Sequence, residues 1–152
     1  MRVSAKTDYA IRAALELAAA EDGKPVKGER IATAQAIPLR FLENILMQLR
    51  HAGLVESRRG AEGGYRLARP AAEVTLADVI RAIDGPLAGV SGARPETLGF
   101  DGVAEPMREV WIAVRAALRG VLERVTLADV AAGNLPDHVR ELVSDEDAWV
   151  SH

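Results

Sequence analysis

Four side chains in this sequence have the types and spacing to read a nucleic acid. Arg40, Glu43 and Asn44 fall close together, and Arg40 and Asn44 stand four apart, on one face of any helix that holds them. Arginine can bridge guanine O6 and N7, asparagine can pair with adenine N6 and N7, and glutamate can accept from cytosine N4. The fourth is Arg59, in the stretch LVESRRGAEGGYRLAR from Leu54 to Arg69. There Arg58 and Arg59 precede a turn rich in glycine (Gly60, Gly63, Gly64), and Arg66 and Arg69 follow it. Glycines let the backbone take positive φ at a hairpin tip. An arginine at such a tip can enter a narrow minor groove, where negative potential is enhanced. Alone, the trio would read as a solvated polar helix face; the basic hairpin beside it favours DNA. Arg2, Lys6, Arg58 and Arg66 are the candidates for phosphate contacts, which position a protein without specifying sequence.

The elements that must position these groups follow from periodicity. Ala10, Ala13, Ala14, Leu17 and Ala18 recur at helical spacing and predict a first helix over 4–20, broken by Gly23 and Pro25. A short second helix over 27–35 turns Ile31 and Ala32 inward, and Ala36 and Ile37 make a turn. Pro38 suits the first position of a third helix, whose stripe is Phe41, Leu42, Ile45, Leu46 and Leu49. Gly53 fits its C-terminal cap. Strands are expected near 54–58 and 65–68. Helix, helix–turn–helix, hairpin is the order of a winged helix.

The second half has a different character. Thr75 starts a helix to about Ile83, with Asp78 at capping-box spacing, and Gly85 and Pro86 end it. Residues 86–104 read as a loop, longer than most connections inside a compact domain. A long helix over 105–126 carries Met107, Val110, Trp111, Val114, Leu118, Val121, Leu122 and Val125 as one stripe. A small winged helix has no core to cover it, so pairing with a second copy in a two-fold dimer is expected. The alternative is that it packs back on its own domain. The loop, with Trp111, is the candidate site for an effector metabolite or partner protein. TLADV occurs at Thr75–Val79 and again at Thr126–Val130, read as a favoured helix start rather than a repeat. After Gly133 an acidic tail holds one short helix near 136–143 and a frayed end.

Composition bounds the function. The 152 residues are 49% apolar and 27% charged, enough for a core. No apolar run nears 18 residues and no leader pattern opens the chain, so a membrane partner is not expected and the cytoplasm is the expected address. The net charge of −3 divides unevenly: residues 1–70 hold 12 Lys+Arg against 8 Asp+Glu, and residues 71–152 hold 7 against 14. Local sign governs phosphate contact more than the total. An enzyme is not expected: there is no Ser–His–Asp pattern, and GAEGG lacks the Lys-Ser/Thr of a phosphate loop. With no cysteine, disulfides and thiol chemistry are excluded. His51, His138 and His152 show no metal-ligand spacing.

Three segments together are specific: MRVSAKTDYAIRAALELA from Met1, IPLRFLENILMQLRHAGLVESRRGAEGGYRLARP from Ile37, and TLADVIRAIDGP from Thr75. In order and spacing they resemble the Rrf-two family of bacterial transcription regulators, of the iron–sulfur-regulator and cysteine-metabolism-repressor type. The resemblance implies a mostly α fold: a winged helix-turn-helix with a two-stranded wing plus a long C-terminal dimerisation helix. It implies a recognition helix over 38–50 with Arg40, Glu43 and Asn44 facing bases, and Arg59 as the wing-tip arginine. It implies a homodimeric repressor on palindromic double-stranded DNA. Many such relatives hold an iron–sulfur cluster through cysteines after the fourth helix; residues 86–104 have none, so cluster ligation by cysteine is impossible and no cofactor is expected. Asp8 stands where some relatives place an extra carboxylate ligand, and reads here as a surface acid. The expected organisation is a winged helix over 1–85, an effector or partner loop over 86–104, a dimerisation region over 105–133 and a tail over 134–152. The competing reading is a winged helix that binds protein and answers to a partner enzyme or small metabolite.

Overall fold

A helix faced with alanine lets its neighbours approach closely, and the first helix has that role. The computed structural model describes residues 2–151; Met1, which opens the first quoted motif, and His152 lie outside the described residues. Helix α1 spans Ala5–Ala18. Ser4 caps it, accepting from the Thr7 N–H at 3.1 Å. Its buried Ala10, Ala13, Ala14 and Leu17 meet α2 (Gly28–Gln35), α3 (Leu39–His51), α4 (Leu76–Asp84) and α6 (Leu127–Ala131). The Thr7 hydroxyl, almost fully buried, donates to Asp84 and ties the start of α1 to the end of α4.

The turn between α2 and α3 is sharp because Ala36 takes φ +52. The Ile37 N–H then reaches Ala32 O at 2.9 Å, closing a Schellman-type cap without glycine. Pro38 is the N-cap of α3 rather than its first helical residue. Its ψ of 126° is extended, while its carbonyl already accepts from Phe41 and Leu42. Leu42, Ile45, Leu46 and Leu49 are wholly buried, as their spacing requires. Phe41 departs from the expected stripe: it is 41% exposed. It lies edge-on to Tyr9 of α1, ring centroids 5.7 Å apart. Gly53 takes φ +74, and the Leu54 N–H bonds Leu49 O at 2.9 Å, the cap expected there.

Strands β1 (Val55–Arg58) and β2 (Gly64–Leu67) form an antiparallel hairpin, Val55 opposite Leu67 and Arg58 opposite Gly64. Val26 exchanges two 2.8 Å backbone bonds with Tyr65, which fastens the hairpin to the residues leading into α2.

Helix α4 opens with the expected Thr75–Asp78 capping box. The loop after it contains two short 3-10 turns, Pro95–Thr97 and Gly102–Ala104, with Leu87 and Pro95 buried. Helix α5 spans Met107–Leu122, shorter than the expected 105–126. Val125 is therefore off the helix; it is buried, and its carbonyl accepts from the Leu76 N–H at 3.0 Å. The second TLADV does start a helix, α6, through its own Thr126–Asp129 capping box. The two starts also pair with each other. The Leu127 N–H donates to Val74 O at 2.9 Å, and Thr75 and Thr126 form an antiparallel bridge. The first N–H of each helix has no partner within its own helix, and the carbonyl just before the other N-cap threonine supplies one. Leu127 is wholly buried in the common core. Helix α7 (Asp137–Val143) follows. The end expected to fray instead holds a 3-10 turn, Glu146–Trp149, with the Trp149 indole donating to Val143 O at 2.7 Å.

Candidate nucleic-acid interface

Helix α3 presents two faces of opposite character. One is the buried leucine–isoleucine stripe; the other carries Arg40, Glu43 and Asn44, all exposed. Asn44 has a neighbour on the next turn: the Gln48 amide donates to its Oδ1 at 3.4 Å. Met47 shares this outer face, three residues beyond Asn44 and four beyond Glu43, and is 45% exposed. The sequence reading passed over it because an apolar residue on an amphipathic helix is assigned to the core by default. Its spacing from Arg40 was the available signal. An exposed thioether can meet a thymine methyl group.

The orientation of α3 is set from α1. The Arg12 guanidinium lies 4.8 Å over the Tyr9 ring, which in turn meets Phe41. Arg12 also donates to Gln35 O at 2.9 Å and pairs with Asp8 at 3.0 Å. Asp8 is thereby engaged within α1. Gln35, at the end of α2, donates to Glu16. These contacts join the three helices.

The wing tip depends on its glycines in two different ways. Gly60 has φ +103, the freedom that was expected. Gly63 is needed for space: a Cβ there would lie 2.3 Å from Arg58 O. Its N–H bonds Gly60 O at 3.0 Å and closes the turn. Arg58 and Arg59 are exposed at this tip. Among the described residues neither they nor Arg40 has an ion-pair partner. Arg66 differs. It opposes Glu56 across the hairpin and donates to one carboxylate oxygen from Nε and Nη2, at 3.1 and 2.9 Å. Lys6 is half-buried on α1. Arg2 is exposed but lines a cleft with Ile80, Asp84, Leu118 and Leu122, beside α4 and α5 rather than α3.

No residue of α5 is fully buried within the chain. Of the expected dimer stripe, Val110 is 48% exposed, while Trp111, Val114, Leu118, Val121 and Leu122 are half-buried. A second cleft, of about 450 Å³, opens between the end of α4, the 86–104 loop and α5. It is lined by Arg81, Arg94, Arg115 and Arg119 with Glu96, not by Trp111. Glu96 pairs with Arg115, and Glu123 with Arg81 and Arg119.

Comparison with known proteins gives these features a lineage. The Rrf2 family model, an iron-dependent transcriptional regulator, matches residues 3–133. Rv1287 of Mycobacterium tuberculosis, which carries an HTH-type transcriptional regulator name, is 52% identical over 145 residues, 95% of this chain and 90% of that protein. The HTH-type transcriptional regulator CymR of Bacillus subtilis is 36% identical over 87% of this chain and 91% of its own. Its solved structure, the global cysteine regulator, superposes with a TM-score of 0.74 over 87% of this chain and 97% of that one. IscR of T. potens, 32% identical, gives 0.69 over 100% and 93%. Iron in the family description meets no matching donor set here. The chain has no cysteine, and among the described residues no three of His, Asp and Glu gather to hold a metal ion. No helix among the described residues is long and apolar enough to cross a membrane. The match over most of the chain, and the wing and helix–turn–helix behind it, make this protein a member of the Rrf2 family of transcriptional regulators.

Proposed function

We propose that the chain is a homodimeric, sequence-specific DNA-binding regulator that works without an iron–sulfur cluster, with repression as the sign the resemblance implies. One observation carries this reading: Arg40 and the wing-tip Arg59 are exposed, unpaired cations, one on α3 and one on the hairpin that follows it, and the Val26–Tyr65 bonds fasten that hairpin to the segment leading into α2. An unpaired guanidinium keeps its donors for a ligand; a paired one must first give up its carboxylate. In this reading Arg40, Glu43 and Asn44 meet base edges in the major groove and Arg59 enters the minor groove. Arg58 and Lys6 meet phosphates. Arg2 and Arg66 are weaker phosphate candidates, because Arg66 is engaged by Glu56 and Arg2 lies by the α4–α5 cleft.

Dimerisation is proposed through α5, by Val110, Trp111, Val114, Leu118, Val121 and Leu122. The partly exposed apolar stripe supports it. Two-fold symmetry makes the operator an imperfect palindrome with half-sites about 34 Å apart or a multiple of that. Residues 1–85 then read DNA, the 86–104 loop senses, residues 105–133 join the protomers, and residues 134–152 form the tail.

The test is selection of bound fragments from a randomised DNA pool, followed by titration of the winner at two salt concentrations. A palindrome bound tightly and lost steeply with salt is the expected result. No enrichment, with or without cell extract, would remove the DNA reading.

A further inference from the structure

All seven cations between residues 71 and 152 are arginines, against fourteen Asp and Glu. Four of the seven, Arg81, Arg94, Arg115 and Arg119, line one cleft between the end of α4, the 86–104 loop and α5. Gathering four in one concavity raises a local positive potential, and concave walls focus it. Glu96 and Glu123 offset part of it, leaving two positive charges in excess. Glu123 is held below its ordinary range by hydrogen bonds from Arg81 and Arg119; Glu96 is held down by a backbone hydrogen bond first and by Arg115 second. Arg94 has no ion-pair partner among the described residues. Gly85, Pro86 and the buried Leu87 complete the lining.

Guanidinium forks match the oxygen geometry of carboxylate and phosphate, and every cation here is a fork rather than an ammonium. We infer that this cleft is an effector site for a small molecule carrying two anionic groups, phosphate or carboxylate. The inference rests on the regulator reading above, which supplies its output. One anionic group takes Arg94 together with Arg115. The second competes with Glu123 for Arg81 and Arg119. Arg81 belongs to α4, while Arg119 and Glu123 belong to α5 and its C-cap. A ligand that displaces Glu123 therefore loosens the tie between α5 and α4, and α4 packs on α1 and α3. The ligand changes the setting of the recognition helices only if it binds one setting more tightly than the other.

The full chain is titrated with inorganic pyrophosphate and with citrate at constant ionic strength, by calorimetry, and its affinity for the selected DNA is measured with and without each. Saturable binding of one probe per protomer is expected, with DNA affinity shifted at least threefold. Arg94→Ala weakens probe binding at least fivefold, and the folded state persists because no ion pair or side-chain hydrogen bond is lost, only the longer-range attraction to Glu96. Glu96→Gln, which removes a competing carboxylate, strengthens it at least twofold. Arg59→Ala leaves it unchanged. The stronger of the two probes identifies phosphate or carboxylate as the ligand group. Absence of saturation with both probes overturns the inference, as does binding that leaves DNA affinity unchanged. So does an Arg94→Ala protein that loses DNA affinity as Arg59→Ala does, since the cleft would then be a backbone contact. The two readings fail separately: probe binding without any selected DNA removes the regulator function, and selected DNA without probe binding removes only the effector site.

Discussion

Replacing Gly64 with alanine puts a methyl group where the Val26 carbonyl already lies. A Cβ at this position would stand 2.5 Å from Val26 O and 2.6 Å from its carbonyl carbon. Both are backbone atoms and cannot swing aside as a side chain would. Ordinary contact between such atoms is about 3.5 Å, so the hairpin must retreat by roughly 1 Å. The two bonds between Val26 and Tyr65, each 2.8 Å, would then pass out of hydrogen-bonding range. Each such bond contributes about 1 kcal/mol net, and the φ of +147 adds about 1–2 kcal/mol of strain for any residue with a side chain. The expected loss is about 3–4 kcal/mol of wing attachment. Gly60→Ala is the control: φ is also positive, but a Cβ there meets open space, so the cost is strain alone, about 1–2 kcal/mol. Hydrogen exchange at the Tyr65 and Val26 amides reads attachment, urea denaturation reads the whole domain, and DNA titration reads function. Gly64→Ala should expose both amides and lower DNA affinity at least as far as Arg59→Ala; Gly60→Ala should do neither to the same degree. Amide protection equal in Gly64→Ala and the parent protein would refute the claim that this contact braces the wing.

Other changes separate the remaining contributions. Arg40→Ala should lower operator affinity by about 1–3 kcal/mol and relax preference at one base, whereas Arg59→Ala should weaken every sequence and reduce the salt slope by about 1, both measured by fluorescence anisotropy. Met47→Ala should leave thermal stability within about 0.5 kcal/mol, because the side chain is outside the core, yet reduce discrimination at a thymine; stability loss like that of a core residue would contradict its placement. Ala36→Gly should stabilise by about 0.5–1 kcal/mol, since relief of the left-handed alanine exceeds the extra chain entropy of glycine; a lower urea midpoint would count against it. Asp129 is held below its ordinary range by hydrogen bonds from the Thr126 backbone and side chain, and Glu96 and Glu123 are lowered too. Groups depressed in the folded state stabilise it above their unfolded pKa, so stability should be flat above about pH 5 and fall as pH drops below about 4. In Asp129→Asn that acid-side fall should be shallower, and an unchanged curve would deny the cap its role.

Much of the winged helix was legible because its signals are local. The Leu42, Ile45, Leu46 and Leu49 stripe, the Gly53 cap, the Gly60 turn and the Thr75–Asp78 box each depend on residues within a few positions. What escaped depends on distant partners. Phe41 stays at the surface because Tyr9 offers it an edge, and no period within α3 records that. Arg66 is tied down only once hairpin register sets it opposite Glu56. Helix α5 stops short of Val125 because that residue bonds to Leu76, some fifty positions earlier. The arginine cleft draws on α4, a loop and α5, so no single window of sequence contains it.

The bridge between Thr75 and Thr126 makes the intervening chain a closed excursion. Its neck is clasped by the Leu76–Val125 and Leu127–Val74 bonds, and each side is capped by its own threonine and aspartate. With the ends held, the span between can change length at little thermodynamic cost: doubling a flexible loop costs only about 0.6 kcal/mol. The loop over 86–104 within that excursion is thus exchangeable in length. A loop of different size or chemistry can be grafted there while the core and α3 keep their register, so the clasp confines what varies to one side of the fold.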